Sequence, residues 1–573
     1  MKATKSARLY IGYIGAVTLM VVLAAAYTYF GVARSYAAEE SLLGGKVTSL
    51  RGEAVSAIPV RAHRANSNIT VSVYTNSRGE YSFPGWSDLA PGAHTISMEL
   101  PDFEPIKREA VMLSAGKTAK LDFNLQPRQP QVSDASIAEI VMALPGTDDQ
   151  RFLLTQCGHC HSLLWALRNP HTKEEWLRIV RRMAGATRST TERPGTRSFD
   201  QPRYIEPLAN YLASIRGPGS SDQIPFRLRP RPTGDASTRI VVTEYDLPRG
   251  GHREPYMIRG DRRFLWAHDV ITNEKYAYYS DHFSTFLGRL DKKTGEVKEF
   301  AYQTPGRQET PDPATESRAG MGARSEGTQG LDFDLEGNLL IAGLRFDTKT
   351  EQFSPYSPVE GGMVGIAPDG KIWTFQGRRG ALRMYDPKSG EKKDYQIPLV
   401  PPEGYIYGSW VDAKGRPVFM GWGLSLVRVF DPKTEKHTDY PVVTPQSGPR
   451  RGDTGVDGRS WFGEYFGGRL GMIDPTKGEI KDFPLVPDAK PFGPPFAAPY
   501  AAAVDDKNQF VWTTDFSSSR IFRFDMKTEK TTEYLMPLPY EVRHLWVSKT
   551  DERPTLWIPS YRPPSKLAKV QMF

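Results

Sequence analysis

The chemistry that this sequence offers most clearly lies in one short motif. Cys157 and Cys160 are the only cysteines in 573 residues, and His161 follows directly. The spacing C-x-x-C-H is the attachment pattern of c-type haem, in which each thiol adds to a vinyl group and the histidine ligates the iron. A zinc site would need further Cys or His ligands, and a thioredoxin-type redox pair would need a βαβ pattern, which is absent. The motif therefore predicts one haem c on Cys157 and Cys160, with His161 as the proximal iron ligand.

The second iron ligand has three candidates. Met183 is the only methionine between the motif and the repeats that follow, and a methionine opposite histidine raises the potential of a c-type haem. Met183 also ends an amphipathic stretch, where a core methionine is the ordinary case. His171 and an open coordination position are the alternatives.

The elements expected around the motif are helices within residues 131–218. Helical periodicity predicts one helix over 148–167 carrying the motif, a second over 172–183 with Thr172 as N-cap, and a third over 204–215. A motif helix, a middle helix and a closing helix with aromatic and aliphatic residues resemble a class I c-type cytochrome domain. That resemblance implies an electron-transfer function.

A repeat occupies residues 235–573. Strand, tight turn and strand recur around Asp386, Asp431, Asp474 and Asp525, at intervals of 45, 43 and 51 residues, and an earlier echo surrounds Asp291. This period is typical of four-stranded propeller blades. We predict about seven blades, with the two ends of the domain completing one blade and closing the ring.

Registering the repeats places polar residues at two equivalent positions. The first holds Asp281, Gln376, Gly421, Glu464, Asp515 and Ser560. The second, on the innermost strand, holds His268, Gln329, Tyr407, Arg450 and His544. Equivalent positions of a propeller face one central channel, so we predict a catalytic site there, either an acid–base site or a divalent-metal site. A wet, polar, non-catalytic channel is the alternative.

The phrase Ser460-Trp461-Phe462-Gly463-Glu464 resembles the virginiamycin B (streptogramin) lyase propellers. That resemblance implies a catalytic role for Glu464. Where the family has a catalytic histidine, fourteen residues earlier, this chain has Arg450, which argues against the same lyase chemistry.

Residues 41–130 read as short alternating strands between turn residues, the pattern of a small antiparallel sandwich. The stretch Thr75-Asn76-Ser77-Arg78-Gly79-Glu80-Tyr81 resembles the carboxypeptidase regulatory-like sandwich, which implies a spacer or interaction module.

Residues 1–38 read as a signal peptide or membrane anchor. Lys2, Lys5 and Arg8 precede an apolar run over 9–33 that is long enough to span a bilayer. Either reading places the rest of the chain outside the cytoplasm, and we expect a periplasmic protein, anchored or released. The net charge of +8 is spread over the chain rather than gathered in runs, so we expect no nucleic-acid partner.

The predicted fold class is thus multidomain and mainly β, with an N-terminal membrane segment, a β-sandwich, a small all-α cytochrome domain and a propeller. Three functions compete. The first is electron transfer, with a small-molecule substrate or a redox partner protein at the propeller. The second is a metal-dependent lyase or hydrolase acting through Glu464. The third is a non-catalytic docking propeller.

Overall fold

The computed structural model describes residues 41–159, 162–186, 195–249, 264–303, 328, 330–356, 364–376, 381–396, 406–561 and 564–573. They are mainly β and form a sandwich, a helical part and a propeller of four-stranded sheets. The predicted membrane segment, Cys160, His161 and Gln329 lie outside them. In the part of the chain that is described, no helix has the length and apolar character needed to cross a membrane.

The sandwich contains the first eight strands. They are β1 (Leu43–Ser49), β2 (Pro59–Arg64), β3 (Ile69–Tyr74), β4 (Glu80–Ser82), β5 (Gly92–Met98), β6 (Ile106–Leu113), β7 (Ala119–Lys120) and β8 (Phe123–Leu125). β1 pairs with β4, β7 and β8, and the facing sheet has the order β3-β2-β5-β6. Alternate residues of β5 (His94, Ile96 and Met98) are buried, which is the period-two pattern of a sheet with one face on a core.

The helical part follows. Its helices are α1 (Ile137–Ala143), α2 (Asp148–Thr155), α3 (Leu163–Leu167), α4 (Lys173–Ala186) and α5 (Pro202–Ile215). The predicted N-cap is confirmed, because the Glu175 N–H donates to Thr172 Oγ1 at 3.3 Å and the Thr172 N–H donates to Glu175 Oε2 at 2.8 Å. This reciprocal pair starts α4 at the expected residue.

The prediction of one helix over 148–167 is wrong. α2 ends at Thr155, a 3₁₀ turn covers Gln156–His159, and α3 begins at Leu163. The Thr155 hydroxyl donates to the Phe152 carbonyl at 2.6 Å. That carbonyl would otherwise accept the next α-helical N–H, so the side chain competes with continuation of the helix.

The propeller is built from the remaining strands. They are β9 (Ile240–Asp246), β10 (Ala267–Thr272), β11 (Tyr276–Asp281), β12 (Phe286–Asp291), β13 (Val297–Ala301), β14 (Asp332–Phe333), β15 (Leu339–Ile341), β16 (Leu344–Asp347), β17 (Gln352–Pro355), β18 (Val364–Ile366), β19 (Ile372–Gln376), β20 (Ala381–Tyr385), β21 (Lys392–Gln396), β22 (Ile406–Val411), β23 (Pro417–Gly421), β24 (Leu426–Asp431), β25 (Lys436–Pro441), β26 (Pro449–Thr454), β27 (Ser460–Glu464), β28 (Arg469–Asp474), β29 (Glu479–Pro484), β30 (Pro499–Asp505), β31 (Phe510–Asp515), β32 (Arg520–Asp525), β33 (Lys530–Leu535), β34 (Trp546–Val547), β35 (Thr555–Pro559) and β36 (Lys566–Met572). A short helix, α6 (Asp235–Thr238), precedes them.

Six blades are consecutive sets of four strands, from β10–β13 to β30–β33. The seventh has the order β34-β35-β36-β9, so strands from the two ends of the domain complete one blade, as predicted. β9 also pairs through its other edge with β3, which joins this blade to a sandwich sheet in one eight-stranded sheet. Neither edge of β9 is therefore left open.

The turns that made the repeat visible are held by their aspartates. Asp525 Oδ1 accepts the backbone N–H groups of Lys527 and Thr528 at 2.8 and 3.0 Å. The N–H of Thr528 contributes most to lowering the pKa of Asp525, against the small opposing effect of partial burial. The residue type is thus selected by the turn, which explains its recurrence from blade to blade.

Candidate functional site

The innermost strand of several blades carries a β-bulge. In β10 the pairing jumps from Ala267↔Asp281 to Val270↔Tyr279, so three steps on one strand oppose two on the other. The same shift occurs in β22, β26 and β30. A bulge re-aims side chains locally, and in each strand the shift falls at the same place. The residue pairs in the bulges are His268–Asp269, Tyr407–Gly408, Arg450–Arg451 and Tyr500–Ala501.

Bulge residues of blades that are not neighbours contact each other. Arg451 in the fifth blade donates to Asp269 in the first at 2.8 Å, and His268 in the first blade lies 3.3 Å from the Tyr500 hydroxyl in the sixth. Arg450 also stacks on Tyr407 and Tyr500 in the two blades that flank its own. Contacts of this kind are made across the ring axis. We define Arg450, Arg451, Tyr407, Tyr500, His268 and Asp269 as the axial cluster.

Arg450 lies in a cage of aromatic rings. Its guanidinium carbon is 3.8 Å from the ring centre of Tyr500, 4.2 Å from Tyr407, 4.3 Å from Tyr465 and 4.7 Å from Trp422. The side chain is buried, and its Nε and Nη1 groups have no hydrogen-bond partner. The ring faces attract the cation, but they provide no counter-charge.

A hydrogen-bonded chain runs beside this cage. His268 Nδ1 lies 2.6 Å from Asp269 Oδ1, and His268 Nε2 lies 3.3 Å from the Tyr500 hydroxyl. The Tyr500 hydroxyl bonds in turn to the Tyr407 hydroxyl. The hydrogen-bonded chain therefore runs from the Asp269 carboxylate through the His268 imidazole to the two phenols, and Arg451 is paired with the carboxylate.

The arrangement separates the pKa values of the two tyrosines. Burial raises the pKa of Tyr407, but the charges of Arg450 and Arg451 outweigh it and lower that pKa to about 7. Burial dominates at Tyr500 and raises its pKa. Burial also lowers the pKa of His268 to about 3, so this imidazole is neutral near pH 7.

The last blade contributes two further side chains. The isolated bridge Val542↔Ser560 makes Arg543 the counterpart of His268, so the predicted equivalence of His544 and His268 is wrong by one residue. Arg543 pairs with Glu541 at 2.5 Å, and its guanidinium lies 3.5 Å from the Tyr561 ring centre. His544 is partly buried, its Nδ1 has no hydrogen-bond partner, and burial lowers its pKa to about 4.

The first predicted position lies one strand further from the axis. Asp281, Glu464 and Asp515 end the second strands of their blades, as do Gln376 and Gly421. Asp281 and Asp515 hold local turns, and Asp281 is also ion-paired with Arg249 at 3.1 Å. Asp281 accepts the backbone N–H of Phe283 at 3.1 Å, and Asp515 accepts that of Ser517 at 2.8 Å.

Glu464 differs from these aspartates. It is fully buried, and among the described residues neither carboxyl oxygen makes a hydrogen bond of normal geometry. Burial, reinforced by the charge of Asp482, raises the pKa of Glu464 to about 8. Glu464 is therefore mostly protonated near pH 7.

The structure thus brings His268 and Arg450 into one cluster through Tyr500, with His544 near by in the last blade. In the described residues, no hydrogen bond or ion pair joins Asp281, Glu464 or Asp515 to that cluster. Likewise, no group of three or more His, Cys, Asp or Glu side chains in the described ranges is suited to hold a metal ion. The donors predicted for a divalent metal do not come together there.

The helical part with the cysteine motif packs on the propeller near this cluster. Phe152 of α2 contacts Phe466 edge-on with ring centres 6.2 Å apart, and Phe466 contacts Trp422 at 4.5 Å. Trp422 is one wall of the Arg450 cage. An unbroken line of aromatic contacts therefore leads from the motif helix to the axis.

The motif itself is described in part. Cys157 is partly buried against the helical core, and a Cβ on Gly158 would lie 2.3 Å from Ile137 Cδ1 of α1. Met183 is partly buried on α4. His171 Nδ1 lies 3.8 Å from Glu175, and its ring packs edge-on against Trp176.

Gly195 is a second anchor of the helical part. Its N–H donates to the Gly423 carbonyl at 3.1 Å, and a Cβ on it would lie 2.4 Å from that oxygen. We expect Gly195→Ala to cost about 2 kcal/mol of stability, because backbone must move to admit the methyl group. The control is Gly185→Ala in α4, where no atom lies within 4 Å and a helical alanine is favoured. Thermal unfolding with limited proteolysis of the helical part measures both variants, and equal melting temperatures would contradict the expectation.

Several known proteins are similar to parts of this chain. Residues 43–126 match the carboxypeptidase regulatory-like domain family. A streptogramin B lyase structure is 18% identical and aligns over 59% of this chain and 100% of its own, with a TM-score of 0.45. Virginiamycin B lyase from Staphylococcus aureus is 17% identical over 54% of this chain and 96% of its own, with a TM-score of 0.42. The β-propeller domain of Cps50 (Swd1) from Myceliophteria thermophila is 11% identical over 54% and 97%, with a TM-score of 0.40. No curated protein matches the chain.

The sandwich match confirms the sequence-based resemblance for residues 43–126. The structural similarity concerns the propeller architecture, which the blade topology shows independently. Sequence reasoning missed Tyr500, Arg451 and Arg543 in the site. Adjacent polar pairs, such as Arg450–Arg451 at the start of β26 and Arg543–His544 just before β34, were the available signal.

Proposed function

We propose that this chain is an exported protein carrying one covalent haem c, and that it transfers electrons between this haem and a small-molecule substrate or redox partner protein at the propeller channel. The observation that carries the proposal is the position of the motif helix. α2, which leads directly into Cys157, shares a hydrophobic core with propeller residues next to the axial cluster. A one-electron centre attached there would adjoin the channel through packed aromatic side chains.

The described part of the motif suits haem attachment. Cys157 follows directly on the helix, and the neighbouring Gly158 lets α1 approach the motif backbone closely. Cys157 and Cys160 would hold the porphyrin, His161 would be the proximal iron ligand, and Met183 is our proposed second ligand. The haem would supply one-electron chemistry, while the chain fixes its position relative to the channel.

Covalent haem attachment would also require export of the chain. Bacterial c-type haem is attached outside the cytoplasmic membrane, and the basic start and apolar run of residues 1–38 suit a signal peptide or an anchor. We therefore propose a periplasmic location for the three folded parts.

Haem content tests the proposal directly. When the full chain is produced together with the c-type haem maturation machinery, we expect one covalent haem per chain, seen as a haem-stained band on a denaturing gel and as a pyridine haemochrome spectrum. The double variant Cys157→Ala/Cys160→Ala should lose the stain, whereas Ser162→Ala, at the next described residue, should keep it. A wild-type protein without covalent haem would refute the proposal.

The second ligand has a separate test. Methionine ligation gives oxidised c-type haem a weak long-wavelength absorption band, which we expect to disappear in Met183→Ala. The matched control is Met142→Ala, because Met142 packs on the same helical core but is not a proposed ligand. Retention of the band in Met183→Ala would exclude Met183 as the ligand.

A further inference from the structure

We propose that the axial cluster is an acid–base site for a small carboxylate-bearing molecule, with Arg450 binding the carboxylate and Tyr407 exchanging a proton with the ligand. This inference deepens the proposed function, since it assigns a chemical class to the channel substrate. It uses only residues of the propeller.

The first argument is a buried cation without a carboxylate partner. Arg451 has Asp269 at 2.8 Å and Arg543 has Glu541 at 2.5 Å, but no carboxylate is paired with Arg450 in the described residues. A buried cation without a carboxylate partner costs several kcal/mol. Ring faces offset only part of that, and the Tyr407 phenol, with a pKa of about 7, is only partly ionised at neutral pH. Two N–H-bearing nitrogens of Arg450 lack partners. Carboxylate oxygens form short, charge-assisted hydrogen bonds with such donors.

The second argument is the position of Tyr407. Of the two hydrogen-bonded phenols, Tyr500 is fully buried and Tyr407 is partly exposed. Tyr407 is therefore the end of the chain that a ligand can reach. The guanidinium of Arg450 lies 4.2 Å from the Tyr407 ring centre, so one molecule can contact both.

The third argument is the chain behind Tyr407. If Asp269 accepts the Nδ1–H of His268, then Nε2 accepts from the Tyr500 hydroxyl while the Tyr500 oxygen accepts from a neutral Tyr407. When Tyr407 is ionised, the Tyr500 hydroxyl donates to the phenolate instead. Asp269, His268 and Tyr500 are positioning residues in this scheme. They fix the orientation of the Tyr407 hydroxyl without contacting the ligand.

The proton-transfer step is balanced within the site. An acidic X–H bond of the ligand breaks, a Tyr407 O–H bond forms, and the electron pair of the broken bond stays on the ligand as its conjugate base. The negative charge moves from the phenolate to the ligand, and both positions lie beside Arg450. Reversal returns the proton.

The charged and titratable groups around Tyr407 support an ionised phenol. Arg450 and Arg451 of β26 and Tyr500 of β30 act on it directly, and Tyr465 lies across Arg450. The two cations outweigh burial and bring the pKa of Tyr407 to about 7. A general base is most effective when its pKa lies near the working pH.

Phenolate absorption during a pH titration of the full-length protein, as isolated, tests the base. We expect one tyrosine to ionise near neutral pH in the wild type and this step to be missing in Tyr407→Phe. The control is Tyr534→Phe, because burial raises the pKa of Tyr534 in β33 to about 12 and its loss should leave the neutral step intact. A wild-type titration without a neutral step would overturn the assignment.

Acetate as a probe tests the anion site. We expect acetate to bind and to raise the apparent pKa of the neutral tyrosine step, because a second negative charge beside Tyr407 disfavours the phenolate. Calorimetry should show acetate affinity falling at least about tenfold in Arg450→Met. The control, Arg523→Met, removes an arginine that stacks 4.4 Å from Phe510 in an outer strand and should bind acetate normally.

The wild-type titration needs no variant, so it decides the proposal even if Arg450→Met fails to fold. If acetate leaves the apparent pKa of the neutral tyrosine step unchanged, or if both arginine variants bind acetate equally well, Arg450 fills the channel without binding an anion and the proposal is wrong. Either result would leave the haem stain unchanged, whereas failure of the proposed function would remove the stain and leave this titration intact.

Discussion

Replacing Glu464 with glutamine is expected to abolish a large pH dependence of stability, on the order of 4 kcal/mol between about pH 5 and pH 8. Burial raises the pKa of Glu464 from 4.5 in the unfolded chain to about 8 in the folded protein. Between these values the unfolded state releases a proton that the native state keeps. The stabilisation is complete below the unfolded pKa and is lost as the pH rises through the folded pKa. Glutamine stays neutral and has a similar shape, so its variant should lack this loss.

Denaturant unfolding at the two pH values measures the effect. A matched control is Glu479→Gln in the same blade, because the Glu479 side chain is exposed and should leave the pH dependence of the wild type unchanged. If the Glu464→Gln protein loses as much stability between the two pH values as the wild type does, Glu464 does not hold a proton in the folded state.

Replacing Arg61 with alanine is expected to cost about 3–5 kcal/mol and to loosen the sandwich from the propeller. Arg61 of β2 lies 3.3 Å from Glu244 of β9, and the Glu244 side chain has no exposed surface. Tyr540 donates a further hydrogen bond to Glu244 at 2.7 Å. Removing the arginine leaves a buried carboxylate without its cation, and that penalty is larger than the net worth of the pair.

A second substitution distinguishes this cause from lost packing. Glu244→Gln in the Arg61→Ala background should recover much of the loss, because the buried charge is then gone while Tyr540 can still donate. The control is Arg78→Ala, whose pairing partner Glu80 is exposed; it should unfold like the wild type. Absence of recovery in the double variant would show that the charge is not the cause. Chemical unfolding and protease cleavage between the sandwich and the helical part provide the measurements.

The blade pattern could be predicted because local chemistry repeats. Asp474 and Asp525 open equivalent turns, and tryptophans such as Trp461 and Trp512 mark equivalent strands, so counting from the turn locates Glu464 and Asp515 at the strand ends. The alternation of side chains along a strand and the formation of a tight turn both depend only on residues that are close in sequence.

The axial cluster was harder to predict because bulges break that counting. The first and second strands of a blade are joined by turns of different length, so Ala267 pairs with a residue 14 positions on and Pro499 with one 16 positions on. Fixed counting therefore passed over Tyr500 and assigned His544 to the position that Arg543 occupies. A bulge also presents two adjacent residues, which an alternating pattern cannot indicate.

The attachment of the sandwich to the propeller had no signal in the sequence. β3 and β9 each read as an ordinary strand, and their pairing depends on two edges that meet only in the folded protein. The break after α2 was likewise missed, because it follows from one threonine side chain competing for a backbone carbonyl.

The β9–β36 pairing has a consequence for how the chain folds. Lys566 and Asp246 form an ion pair across 320 residues, and the strand that completes the ring, β36, is the propeller strand that is synthesised last. Pairings of such high contact order form slowly. The long intervening chain must first be closed into a loop, and this entropy is lost before the contacts between the two strands can offset it. Until then β9 exposes an edge that can pair with another chain. Cys157 is synthesised about 400 residues before Lys566, so the cysteine motif is available for modification well before the propeller can exist as a closed ring.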